Sequence, residues 1–379
     1  MKLDGERLAA LFTTLCEIDS PSGSESRVAA YLRNLFAQEF PQAVVSEDQS
    51  AAATGSDCGN LLVRFDGALA RAPVFFACHM DTVQPGKGVR VRREGPLFTS
   101  QGDTVLGGDD KSGIALLIEV MRALRDEGQP HGPVEFVFTT SEEIGLRGAK
   151  HFDPSRLRAT MGYALDSTGT SQVIIGAPAA DQIEATIKGL AAHAGLNPEL
   201  GIDAIRLAAV ALSTMPLGRL DEESTANIGL ISGGTATNIV PESVTLQGEV
   251  RSHSESKLEN YTRRMKEVFS EAVEGWRDET GRIADHPSLI FKATRQYPAL
   301  KLTRGDEVVR LIEDAGNRLG RQLNFIVAGG GSDANIFNGY GLKTAILGTG
   351  MQKVHTTAEQ ISLNDMLQTA ELIYILLSY

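Results

Sequence analysis

Thiols are scarce in this chain, and their placement is uninformative for bonding. Cys16, Cys58 and Cys78 are odd in number, scattered and free of CxxC spacing. That pattern fits a reducing compartment better than a disulfide framework, and it offers no metal-type thiolate spacing. Long apolar runs are also missing, so no segment is expected to span a bilayer and no membrane partner is expected. The first residues, MKLDGERLAALF, carry an early acidic residue in place of a secretory or transit pattern. A cytoplasmic address is the expectation. Basic runs interleaved with aromatics are absent too, and the formal net charge of -12 repels phosphates. Nucleic acid is therefore not an expected partner.

What is present describes an ordinary globular protein. Hydrophobic residues make up 42% of the 379 residues and charged residues 22%, enough for well-packed cores in two domains. Apolar, β-branched runs at 60–65, 73–77, 133–140 and 161–165 alternate with helical periodicity, as at 112–127. Such alternation predicts an α/β unit with a mixed, mostly parallel sheet, in which sites form beyond the carboxyl ends of strands. From about Ala179 the predicted order becomes βαββαβ: a strand at 182–188, a helix at 202–214, strands at 225–231 and 243–251, a helix at 255–278 and a strand at 287–293. That order is ferredoxin-like α+β. The α/β pattern resumes after Gln296 with a helix at 306–319, a strand at 343–347 and a helix at 364–377. The expectation is a discontinuous catalytic domain, 1–178 with 297–379, interrupted by an inserted domain at 179–296.

Charged residues gather at the predicted strand ends of the first unit. The run VEFVFTT at 134–140 leads into SEEIGLRGAK, with Glu142 and Glu143 adjacent; VFFAC leads into His79, Met80 and Asp81. An imidazole that binds a metal through one nitrogen is well oriented when the other donates to a carboxylate, although a capped histidine at a strand end has the same His-x-Asp spacing. LGGDDKSG at 106–113 sets Asp109 and Asp110 at a helix start, where N-capping is the plainer explanation. Asp166 follows another strand, and His355 lies in the loop GMQKVHTTAE. Two imidazoles and several carboxylates on one sheet edge suit zinc, with manganese or cobalt as alternatives, and the number of carboxylates suggests two ions sharing a ligand. One carboxylate of a pair then remains free to act as a base.

The order His-x-Asp, Asp-Asp-Lys, Glu-Glu, Asp, His resembles that of the M20 family of metallopeptidases. HMDTVQPG, LGGDDKSGIA and SEEIGLRGAK look closest to its peptidase T-like branch. The resemblance implies two zinc ions per subunit bound by His79, Asp109, Glu143, Asp166 and His355, with Asp109 bridging and a cis peptide after it. It further implies that Asp81 orients His79 and that Glu142 is the general base toward water activated at the metals. His193 in KGLAAHAG, Asn238 in GGTATNIVPE and Arg251 in GEVRSHS match substrate-binding positions of the inserted domain; by themselves they read as a loop histidine, a turn residue and a strand-end cation. The inserted domain would serve as a lid and join two copies in a homodimer. GGGSDAN at 329–335 resembles a loop lining the same cleft.

The implied activity is hydrolysis of an amide bond in short peptides, with release of the N-terminal residue of tripeptides the leading expectation. Dipeptidase, carboxypeptidase and N-acyl amino acid deacylase activities share the fold and metals, and remain alternatives. Other cocatalytic zinc aminopeptidases use a nearly identical ligand order. The close spacing of His79 and Asp109, with the insertion falling later, favours the M20 arrangement. A non-enzymatic metal-binding protein predicts a broken ligand or a missing base, whereas every expected ligand is present.

Overall fold

The computed structural model describes residues 1–379, which divide into two compact units, Met1–Gly176 with Leu300–Tyr379 and Ala177–Ala299. The first is built on a nine-stranded sheet. Its centre is four parallel neighbours, in the order Val134–Thr139, Val74–His79, Met161–Ala164 and Lys343–Leu347. Antiparallel strands flank them: Leu61–Phe65 beside Val134–Thr139, and Gln172–Ala177 beside Lys343–Leu347. The sheet is thus mixed and parallel where it carries the predicted strand ends. The strand Val74–His79 is buried along its whole length, as is Val134–Thr139. Burial on both faces explains why these segments read as continuous apolar runs and not as alternating ones.

Sheet and helices lock together through aromatic side chains. Phe36, from the helix Ser26–Glu39, stacks on Phe138 at 6.1 Å between ring centroids, and Phe65 meets Phe136 at 5.5 Å. Such rings bury large areas and add edge and stacking terms beyond area alone. The long helix Gly108–Asp126 lies against the sheet, and its departure from the expected start near Ser112 is local: Asp109 and Asp110 have non-helical backbone angles inside its first turn. The peptide bond between them is cis. At Gly113 an added Cβ would stand 2.8 Å from Cys78 Sγ and 2.9 Å from Leu165 Cβ, so only glycine lets this turn approach the strand ends so closely.

Several strands had no sequence expectation, among them two of the nine-stranded sheet. Gln172–Ala177 precedes the second unit, and Asn324–Val327 pairs with it in parallel. A smaller sheet of Val91–Glu94, Leu97–Ser100 and Gln360–Ser362 also forms in the first unit.

The second unit has a five-stranded antiparallel sheet, in the order Gly218–Asp221, Ser224–Gly233, Ser243–Ser252, Ala179–Lys188 and Ser288–Tyr297. Its last four strands have the ferredoxin-like order, and Gly218–Asp221 adds an edge strand. Along Ala179–Lys188, Ile183, Ala185 and Ile187 are buried while their neighbours face outward. The buried set packs with Leu207 and Ala211 of the helix Ala204–Thr214, and with Leu258, Met265 and Phe269 of the helix Glu255–Glu274.

Candidate metal centre

The site assembles because parallel strands end together. His79 is the last residue of its strand, and it pairs in register with Thr139 of the neighbouring strand. Three residues beyond Thr139 stands Glu142, and the next strand over leads to Asp166. The backbone turns sharply here: Ser141, just before the glutamate pair, has φ 51, and His355 has φ 62. These left-handed conformations are uncommon for side chains of this kind and persist only where the surroundings hold them.

Asp109 stands between two imidazoles. Its Oδ1 lies 3.0 Å from His79 Nε2 and its Oδ2 lies 3.2 Å from His355 Nε2. His355 Nε2 is also 3.0 Å from Glu143 Oε1, yet that oxygen is buried with no properly directed hydrogen bond. Proximity without hydrogen-bond geometry is what donor atoms show when they converge on a common point. Potential ligand atoms of His79, Asp109 and Asp166 lie within 4.8 Å of one another, as do those of Asp109, Glu143 and His355, and those of His79, Glu142 and Glu143. The first two of these groups share Asp109, and imidazole and carboxylate donors so arranged fit a pair of divalent cations.

Asp81 does more than the His-x-Asp spacing suggests. His79 Nδ1 donates to the main-chain oxygen of Asp81 at 2.9 Å, while the Asp81 carboxylate is 3.5 Å from the same nitrogen. That carboxylate accepts instead from the main-chain N–H groups of Glu142 and Glu143, at 3.0 and 3.2 Å, and from the Ser22 hydroxyl. One residue therefore orients the imidazole through its carbonyl and fixes the glutamate turn through its side chain.

Burial and crowding set the protonation states. Loss of water, then the nearby Asp166, pushes the Glu142 carboxyl well above the usual carboxylate range. Asp166 is pushed up to about 8, first by burial and then by Asp109. Burial opposes the charge on His79, but Asp109 and Asp81 outweigh it and raise the imidazole well above its ordinary value. His355 rises to about 10 through its hydrogen bond to Asp109 and the nearby Glu143 carboxylate.

Two contributors escaped sequence reasoning. Asp333, in the GGGSDAN segment, is buried, accepts from the Thr139 hydroxyl at 2.5 Å, and is raised by burial to about 6. Glu25, also buried, accepts from Ser141 N at 2.9 Å and so holds the turn that presents the glutamates. Their partners are distant in sequence, and no local spacing signals them. Cys78 is buried and its thiol is pushed up by burial and Asp110, as befits an inert core residue.

The model of peptidase family M20/M25/M40 matches residues 75–379. The chain belongs to this family. Among solved structures, the aminopeptidase PepT of Bacillus cereus is 38% identical, with a TM-score of 0.89 covering 99% of this chain and 98% of that one. A tripeptidase of Staphylococcus aureus is 34% identical, with a TM-score of 0.92 over the same shares of the two chains. The Bacillus subtilis protein YqjE is 39% identical over 369 residues, 97% of this chain and 96% of its own length. The protein is therefore an M20 peptidase, a hydrolase of the peptidase T-like branch.

The sequence-derived substrate residues belong to the second unit. His193 and Asn238 lie on adjoining loops, where Ala194 N donates to Asn238 O at 2.9 Å, and both side chains are exposed. Arg251 stands apart from them on the strand Ser243–Ser252 and carries an ion pair with Glu249. No helix is long and apolar enough to cross a membrane.

The raised imidazole of His355 gives a pH signature. Its charged form is favoured in the folded chain, so its contribution is fully present below about pH 6.5 and is lost as pH rises through about 10. Chelator-treated protein should lose melting temperature across that interval more steeply than a chelator-treated His355→Asn variant. Parallel slopes in a calorimetric pH series would contradict the imidazolium assignment.

Proposed function

We propose that this M20 peptidase is a dinuclear zinc aminopeptidase that releases the N-terminal residue of short peptides, tripeptides foremost. The observation that carries the reading is Asp109, which offers one carboxylate oxygen to each of two imidazoles beside an uncommitted buried carboxyl, Glu142. Zinc suits imidazole and carboxylate donors without thiolate, and manganese or cobalt would accept the same set. His79, Asp109 and Asp166 would hold one ion, and Asp109, Glu143 and His355 the other, consistent with their groupings. When bound, the pair supplies Lewis acidity toward water and the scissile carbonyl.

The chain's own residues do the rest. Glu142 removes a proton from the attacking water as the new C–O bond forms, then returns it to the leaving amine nitrogen as the C–N bond breaks. Burial raises its affinity for a proton above that of an ordinary carboxylate, which strengthens the ionised group as the proton acceptor. Asp81 keeps the base in place through the N–H of Glu142. His193, Asn238 and Arg251 are the proposed contacts to substrate polar groups. Replacing Glu142 by Gln should leave metal content intact and lower turnover by about a hundredfold to ten-thousandfold, the usual range for base catalysis. A variant with full turnover would remove Glu142 from this role.

The likeness to an aminopeptidase and a tripeptidase across nearly the whole chain supports the substrate class. Mass spectrometry of products from one tripeptide, offered free at both ends, N-acetylated or C-amidated, tests it. Cleavage of the first bond that requires the free amine is expected. Dependence on the free carboxylate would favour a carboxypeptidase, and removal of the acetyl group a deacylase.

A cytoplasmic setting is supported by the three free, buried cysteines. A homodimer formed through the second unit is supported by the strand Ser224–Gly233, where Leu230 and Ile231 are 65% and 55% exposed and no neighbouring strand pairs beyond Ala226 on the outer side. Sedimentation should give twice the chain mass, and a Leu230→Glu variant should sediment as one chain. A wild-type protein with the mass of one chain and full activity would dismiss the dimer.

A further inference from the structure

Asp109 precedes the second unit in the sequence and His355 follows it, and a single side chain ties their loops together. Glu359 lies four residues after His355, just before the strand Gln360–Ser362, and is buried. Its Oε2 accepts from Leu106 N at 2.8 Å and Gly107 N at 2.9 Å, and its Oε1 accepts from Asp109 N at 3.0 Å. All three partners are donors, so an ionised carboxylate, which only accepts, satisfies them and an amide does not.

The loop that carries His355 is itself closed at its base. Gln352 and Gln360 exchange main-chain hydrogen bonds at 2.9 and 3.0 Å, and Glu359 N donates to Thr356 O at 3.1 Å. Gln360 in turn pairs with Thr99 in the small sheet. On the other side, Gly107 adopts φ +78, and a Cβ added at Gly108 would stand 3.1 Å from Glu359 Oε1. The 106–109 loop is thus moulded against this carboxylate.

We infer that Glu359 is a positioning residue for the metal centre: it sets the distance between Asp109 and His355 by gripping the main chain of the first from the loop of the second. This rests on the metal-site reading proposed above. Loosening the grip leaves every ligand and Glu142 in the chain but lets Asp109 move relative to His355. Partners that orient metal ligands typically cost about 10-fold to 100-fold in metal affinity when removed.

Competition of zinc against a chromophoric chelator measures this directly, with the melting temperature of the chelator-treated protein recorded beside it. Glu359→Gln, which places an amide donor against at least one N–H, is expected to bind zinc about 10-fold to 100-fold more weakly than the wild type. Excess zinc should restore its turnover, since no group proposed to touch substrate has changed. Gly108→Ala presses on the same carboxylate from the opposite loop and should weaken zinc in the same direction; it carries the test if Glu359→Gln does not fold. A lowered melting temperature with unchanged zinc affinity in the folded variants would mean a merely structural residue and would overturn the inference alone. A wild-type protein that binds no zinc would overturn the metal-site reading and this inference with it.

Discussion

The structure depends on how one sheet edge tolerates its own negative charge. Asp81, Asp109, Asp110, Glu142 and Asp333 are buried together with the imidazole of His79 and the ammonium of Lys111. Isolated buried carboxylates are costly, and such groups must be paired, hydrogen-bonded, protonated or bound to cations. The first three solutions occur here. Asp81 is surrounded by N–H and O–H donors. Asp109 is flanked by imidazoles and held below the usual carboxylate range despite its burial. Glu142 and Asp166 are raised, which is the response of carboxyls that lack enough positive charge nearby. Divalent cations at this edge would answer that deficit, and the demand for them is built into the packing.

The same constraint explains the backbone. Side chains must converge from segments far apart, and the strand ends alone do not bring them close enough. The left-handed turns at Ser141 and His355 and the tight approach at Gly113 supply the remaining displacement. The two turns are braced, that at Ser141 by the Glu25 carboxylate and that at His355 by the bond from Glu359 N to Thr356 O. Ligand geometry and loop geometry are therefore one problem, solved by carboxylates that accept main-chain N–H groups.

Much of this was legible in the sequence because strand and helix signals are local. The run ending in Cys78 and His79 is fully buried, so its apolar continuity marked a central strand, and its end marked the site. The βαββαβ order of the second unit was readable from alternation such as that of Ala179–Lys188. What escaped was long-range. Glu359 and Asp109 are 250 residues apart, Asp333 and Thr139 are 194 apart, and Glu25 and Ser141 are 116 apart. No spacing rule links such pairs. The strand Asn324–Val327 pairs only with Gln172–Ala177, about 150 residues earlier, and so had little signal alone. The His-x-Asp motif was visible, but not that Asp81 would serve the imidazole mainly through its main-chain oxygen.

The central claim is that Asp109 joins two metal ions, and zinc stoichiometry by equilibrium dialysis with elemental analysis tests it most directly. The account predicts two zinc ions per chain for the wild type, and loss of both tight sites in an Asp109→Ala variant that remains folded. Two zinc ions retained by that variant, or a single ion at saturation in the wild type, would contradict it.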